Sequence, residues 1–205
     1  MGARKSDAGP SVASRGKTGL SAIARRPVRA WWLFGLVLIS LLATVVFFGV
    51  SLLAHYPRIN DISTDVEQPP AFEAILPLRM GLSNGPGYPG EAVARKQRQA
   101  YPDIGPAWFD DPPAHVFDTV LATARAMGWL IVAADAERGR VEAVDTTRIL
   151  RFKDDIVLRV RGEERGTRVD MRSKSRLGRG DLGANAARIR AFMTRLRGAG
   201  LTPRE

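Results

Sequence analysis

The chain has 205 residues, no cysteine, two histidines and a formal charge of +10. This composition excludes disulfides, thiolate catalysis and cysteine-type zinc sites, and two histidines are too few for a histidine-built metal centre, so no metal and no cofactor is expected. The charge is uneven, +6 over residues 1–30, −4 over 57–144 and +8 over 145–205. A basic C-terminal third raises nucleic acid as a partner, and the location of that third decides whether such a partner is available.

Residues 1–30, rich in Gly, Ser, Ala and Lys/Arg, read as a disordered basic cytoplasmic tail. Next comes "WWLFGLVLISLLATVVFFGVSLLA", Trp31–Ala54, 24 residues without a charge. As a helix it is about 36 Å long, enough to cross a ~30 Å hydrocarbon core. Trp31 and Trp32 at one end and Tyr56 at the other suit interfacial anchors. Arg15, Lys17, Arg25, Arg26 and Arg29 precede the span and only Arg58 follows closely, so the positive-inside rule keeps the N-terminus cytoplasmic and exports residues 55–205. The expectation is a single-pass inner-membrane protein with a periplasmic C-terminal domain, integral to the membrane and removed from nucleic acid. A cleaved signal peptide is the rival reading, although its apolar core should be only roughly 7–15 residues long.

Ten of the thirteen prolines lie between Pro57 and Pro113. This stretch reads as an extended arm with one short helix near 90–100. Phe72, Ile75, Leu76, Leu78, Met80, Tyr101, Ile104, Trp108 and Phe109 are too many large apolar groups for a solvated tether, so the arm should pack on the domain. Residues 114–199 then read as helix, four strands, helix. In the first helix Asp111 caps, Pro112 opens and Gly128 ends a segment whose apolar face is Val116, Phe117, Val120, Leu121, Ala124 and Met127. His115 lies off that face and reads as a surface histidine. Strands are expected near 129–135, 140–152, 155–161 and 167–175, with turns at Glu137–Gly139, Lys153–Asp154 and Glu164–Arg165. That register gathers Leu130, Val132, Ala134, Val141, Ala143, Ile149, Leu158, Val160, Val169 and Met171 on one face. The other face aligns Arg148, Arg159 and Asp170, with Arg161 opposite Arg168. The last helix, from Leu182 to Leu196, buries Leu182, Ala186, Ile189, Met193 and Leu196 and turns Arg188, Arg190, Arg195 and Arg197 outward. The predicted fold is a single transmembrane helix plus an α+β two-layer domain, a four-stranded antiparallel meander flanked by two helices, with a Pro-rich packed arm.

Gly178, Gly180 and Gly183 stand in G-x-G-x-x-G spacing. A dinucleotide loop needs a second parallel strand beyond its helix, and here the helix ends the chain. The glycines therefore read as a strand-to-helix turn in which Gly178 and Gly180 take unusual φ angles and Asp181 caps.

The stretches "NDISTD", "PPAF", "YPDI", "GRVEAVDTTRILRFKDDIVLRV" and "GTRVDMRSKSRLGRGDLGANAARIRAF" resemble the domain-of-unknown-function 1499 family. The resemblance runs from about Asn60 to Leu196 and implies one domain that includes the arm. It implies no catalytic residue and no substrate.

Two functions fit this reading. The first is a membrane-anchored, envelope-facing binding or structural module. Its candidate surface is Arg148, Arg159, Arg172, Lys174 and Arg176, which would attract an anionic amphiphile, such as an anionic lipid, or an acidic envelope protein partner. Leu150 and Val157 on the same face suit cover by the arm or by an amphiphile, with the arm favoured. The second is a carboxylate-dependent envelope hydrolase using two of Glu142, Asp145, Asp154, Asp155 and Asp170. The first is preferred, because Asp154 and Asp155 fall at an expected turn tip.

Overall fold

The computed structural model describes Gly2 and residues 28–54, 56–147 and 151–204. The basic tail before residue 28, apart from Gly2, as well as Arg148, Ile149 and Leu150, lies outside the described residues. The chain divides into two units, residues 1–47 and 48–205.

Helix α1 runs Val28–Ala54. Its stretch Trp31–Ser51 has a mean hydropathy of 2.7 and none of it is buried against protein. Among the described residues it is the one helix long and apolar enough to cross a membrane.

Among the described residues the second unit holds six strands, three further α-helices and a short 3-10 helix at Leu76–Arg79. The strands and α-helices are β1 (Asp61–Ser63), α2 (Glu91–Ala100), β2 (Ala107–Phe109), α3 (Pro113–Ala126), β3 (Leu130–Asp135), β4 (Arg140–Thr146), β5 (Lys153–Glu163), β6 (Gly166–Ser175) and α4 (Ala184–Arg197). The sheet is antiparallel with strand order β1-β6-β5-β4-β3. It has six strands where four are expected, because two three-residue pieces of the Pro-rich arm line the outer edge of β6. β1 pairs with Arg172–Lys174 and β2 with Thr167–Val169. Each piece is too short to show a period of two, yet each satisfies backbone groups that an open edge would leave unpaired.

One face of the sheet carries the main core. Val116, Phe117, Val120 and Ala124 of α3 meet Ile189, Phe192, Met193 and Leu196 of α4 over Val141, Ala143, Ile156, Leu158, Val169 and Met171. Trp129 stacks on Phe192 with ring centroids 5.3 Å apart. α3 starts one residue later than expected, with Pro113 in its first turn. Asp111 instead accepts the N–H of Thr202 at 2.6 Å.

Three expectations need correction. A bulge between Ile131 and Ala133 shifts β3, so Ile131 packs on the main core, Val132 faces the other side, and Leu130 is exposed. An inserted residue changes the parity on which a face assignment depends. β4 ends at Thr146 and β5 begins at Lys153, so Asp154 and Asp155 sit in the ladder opposite Asp145 and Val144 rather than in a turn. The residue opposite Arg159 is consequently Arg140, not Arg148. Leu182, expected to open the last helix, lies before α4 and is exposed, and Arg188 of α4, expected outside, is buried. The registers Arg159↔Asp170 and Arg161↔Arg168 are as expected.

In the glycine segment, Gly178 (φ 86°) and Gly183 (φ 81°) take left-handed backbone, whereas Gly180 does not. Asp181 accepts the N–H groups of Gly183 (2.9 Å) and Asn185 (2.8 Å), so it caps α4 from outside the helix. Among the described residues every pairing in the sheet is antiparallel, whereas a dinucleotide fold needs a parallel neighbour there.

Candidate functional site

The sheet face away from α3 and α4 carries Glu142 and Val144 from β4, Asp155, Val157, Arg159 and Arg161 from β5, and Arg168, Asp170, Arg172 and Lys174 from β6. Alternation of side chains puts them together. Residues 65–90 of the arm lie over this face. Phe72 and Ile75 meet Val144 and Val157 in a small second core, with Val132 at its edge.

Around that core the charges pair. Asp61 is fully buried; Arg172 donates to it from Nε (2.9 Å) and Nη2 (2.8 Å), and Lys174 from Nζ (2.9 Å). Further donors reach arm carbonyls, Arg172 those of Pro70 (3.1 Å) and Pro86 (2.9 Å), Lys174 that of Gly87 (2.7 Å). Asp155 is held by Arg79 of the arm and by Arg176 (2.8 Å). Asp170 takes Arg159 (2.9 Å), Arg168 (3.0 Å) and Arg161 (3.4 Å), and Asp65 of the arm bridges Arg159 (2.9 Å) and Arg168 (3.0 Å). Glu142 accepts three successive arm N–H groups, from Glu73 (2.8 Å), Ala74 (3.1 Å) and Ile75 (2.9 Å), and the Nε of Arg140 (2.9 Å). The guanidinium groups of Arg172 (4.7 Å) and Arg79 (5.4 Å) both lie over the Phe72 ring, a cation–π arrangement that gains strength away from water.

Burial dominates the electrostatics. It pushes the Lys174 ammonium and the Arg79 guanidinium below their usual values, with Asp61 and Asp155 respectively acting against it. Burial, aided by the Asp61 charge, pushes the Tyr88 hydroxyl up to about 12, and that hydroxyl has no hydrogen-bond partner among the described residues. For Asp65, burial acts upward, but the Gln68 N–H and the Arg168 and Arg159 charges outweigh it and hold the carboxyl below its ordinary range. A group lowered on folding stabilises fully above its unfolded value, about 3.9, and its contribution is lost as the pH falls through the lower folded value. Asp65→Asn is therefore expected to be less stable than the parent at pH 7 and to lose less stability between pH ~4 and pH ~2. Thermal unfolding of both proteins across that range checks it, and equal acid slopes would contradict it.

The sequence candidates are therefore placed as follows. Arg172 and Lys174 are 2% and 4% exposed, with their donors engaged. Arg159 and Arg176 sit at the rim, with 18% and 12% of their side chains exposed. Arg148 lies outside the described residues. Glu142, Asp154, Asp155 and Asp170 are buried and each is held by arginine. Asp145 pairs with Arg188 at 2.7 Å. His115 has 62% of its side chain exposed, 4.0 Å from Asp111. Sequence reasoning missed Asp61, Asp65, Arg79 and Arg140 as members of this network. One signal for the acids was present, since the arm lies in the −4 segment and β5 and β6 lie in the +8 segment.

On the other face, Arg188 donates to Asp154 (2.6 Å), Ser173 (3.0 Å) and Asn185 (2.7 Å). Beside this cluster a cavity of about 150 Å³ opens between Thr147, Phe152, Lys153, Ser175, Leu177 and Ala184. Among the described residues no group of three His, Asp or Glu side chains is placed to hold a metal ion.

No curated protein matches the chain. A family model described as "Protein of unknown function (DUF1499)" matches residues 61–196, the stretch from the buried Asp61 to the last core leucine of α4, and the chain belongs to that family.

Proposed function

We propose that the protein is a single-pass, membrane-anchored binding or structural module of the cell envelope. In this reading the N-terminus is cytoplasmic and the α+β domain is displayed on the far side of the inner membrane. The observation that carries the proposal is the uncharged stretch Trp31–Ser51, with no part buried against protein. An isolated soluble helix of that composition would have to cover its apolar surface. The flanking charge asymmetry, five cations before the span against Arg58 close behind it, supports the orientation.

Within the domain, Arg159, Arg172, Lys174 and Arg176 are assigned to holding the arm. Their engagement by Asp61, Asp65, Asp155 and Asp170 supports this role over open anion capture. A buried ion pair contributes little net stability against apolar residues of the same shape. It does impose geometry, and here it selects one seat for the proline-rich segment 65–90. Partners of the module, an anionic amphiphile or an acidic protein, would then meet the domain outside the arm-covered face.

The test is topological. A reporter that is active only outside the cytoplasm, fused after residue 205, should be active, and the full-length protein should stay with membranes through a carbonate wash. A reporter active only in the cytoplasm would refute the orientation. A soluble, shortened periplasmic product would identify residues 28–54 as a cleaved leader.

A further inference from the structure

The end of the sheet where β5 begins and β6 finishes combines exposed apolar side chains with exposed cations. Phe152, Leu177 and Leu182 are 50%, 52% and 58% exposed there. Ser175 lies opposite Asp154 in the ladder and the Arg176 N–H donates to the Lys153 carbonyl at 3.1 Å, which brings the two loops side by side. Arg58, Arg151, Lys153 and Arg179 are exposed on the same loops and their edges, and none has a carboxylate partner among the described residues. The acids nearby are committed. Asp181 spends both oxygens on backbone N–H groups of the α4 start. Asp154 is taken by Arg188 and Asp155 by Arg79 and Arg176. Large apolar groups set among unpaired cations suit a layer that offers both phosphate and hydrocarbon. At the other end of β5, the turn to β6 carries Glu163 and Glu164 and exposes no large apolar side chain.

Chain connectivity supplies the second argument. Tyr56 and Arg58 belong to this end of the sheet. A Cβ added to Gly183 would lie 2.7 Å from the Tyr56 ring, and one added to Gly180 would lie 3.5 Å from the Arg58 Cα. Only residue 55 stands between Ala54, the last residue of α1, and Tyr56. Two extended residues span about 7 Å, and the polar layer of one leaflet is about 5–8 Å thick. If α1 is a retained anchor, these loops have no reach to leave the lipid surface by more than about one layer.

We propose that this end of the sheet is a membrane-resting surface on an anionic leaflet. Phe152, Leu177 and Leu182 enter the headgroup layer, and Arg58, Arg151, Lys153 and Arg179 contact lipid phosphates. The inference rests on the anchor reading above and adds a partner and a posture to it. The hairpin around Glu164, about 33 Å away along the eleven residues of β5, is held out from the bilayer.

The absence of cysteine makes the test direct. Single cysteines at Leu42, Phe152, Leu177 and Glu164 of the full-length protein are labelled with one fluorophore. The proteins are reconstituted in nanodiscs of phosphatidylcholine with or without phosphatidylglycerol, carrying quenchers on the acyl chain or the headgroup. The label at 42 should be quenched from the acyl chain. Labels at 152 and 177 should be quenched from the headgroup, more strongly with phosphatidylglycerol, and the label at 164 should not be quenched. Adding Arg151→Glu and Lys153→Glu should lower the docked-to-free ratio by roughly 25-fold, about fivefold per cation, with the melting temperature unchanged because both sites are solvated. Quenching at 42 with none above the 164 background at 152 and 177 overturns this inference and leaves the anchor intact. Quenching at 152 and 177 that ignores both the anionic lipid and the charge reversal also overturns it, since contact would then follow from the tether alone. No quenching at 42 removes the anchor and this inference with it.

Discussion

Asp61→Asn is expected to destabilise the domain by about 3–5 kcal/mol, the range for breaking one side of a buried ion pair. Asp61 is fully buried and is the carboxylate shared by Arg172 and Lys174, themselves 2% and 4% exposed. An asparagine keeps the shape and removes the charge. Two cations are then left together in a buried site with no carboxylate to balance them, only the neutral amide oxygen at 61, the Phe72 and Tyr88 rings and the carbonyls of Pro70, Pro86 and Gly87. Arg172→Met should cost less, since Asp61 keeps Lys174. The loss should also be directional: with the clamp open, the arm between residues 66 and 90 becomes the first site of proteolysis. Chemical denaturation of the full-length protein in detergent, with limited proteolysis beside it, reads both effects. A loss below about 1 kcal/mol with an unchanged cleavage pattern would mean that the arm is held by Phe72 and Ile75 burial alone, which at two large side chains contributes roughly 3–6 kcal/mol by itself.

Arg188→Met should produce a loss of the same order, about 3–5 kcal/mol, from the opposite face of the sheet. Its guanidinium joins Asp154, Asp145, Ser173 and Asn185. Asp145 has 30% of its side chain exposed and can recover water, whereas Asp154 has 3% and cannot. The variant therefore strands one carboxylate beside the Ser173–Asn185–Ser175 hydrogen bonds. The double variant Arg188→Met with Asp154→Leu removes both charges and should regain most of the loss, because desolvation rather than missing attraction is what the single variant suffers. A double-mutant cycle by urea denaturation measures the difference. Additive losses would show that Arg188 acts through packing of its stem and not through its charge.

These expectations depend on interactions that local pattern reading does not reach. Asp154 and Asp155 look like a turn tip, since two adjacent acids in a polar run normally seek water. They are in the ladder because Arg188 lies 34 positions along the chain from one, and Arg79 lies 76 positions before the other. Arg188 looks like an outward residue by helical period. Its length lets it reach under the helix to acids that the period does not register. The bulge in β3 moves Ile131 and Val132 to the faces opposite to those alternation assigns.

Much was nonetheless decided along the chain itself. Apolar spacing alone marks α1, the core face of α3, and Ala186, Ile189, Met193 and Leu196 of α4. Strong turn residues place the β3–β4 and β5–β6 turns, and with the latter the pairing of Arg159 with Asp170. These features depend on neighbours within about four residues or on one tight turn, where backbone geometry leaves few alternatives. Only the tertiary structure decided that the basic face is closed. Which arginine each arm acid meets and how two short arm segments complete the sheet depend on residues roughly 60 to 110 positions apart. Coulombic pairing carries no sequence period, so those contacts become definite only when the fold brings the two stretches together.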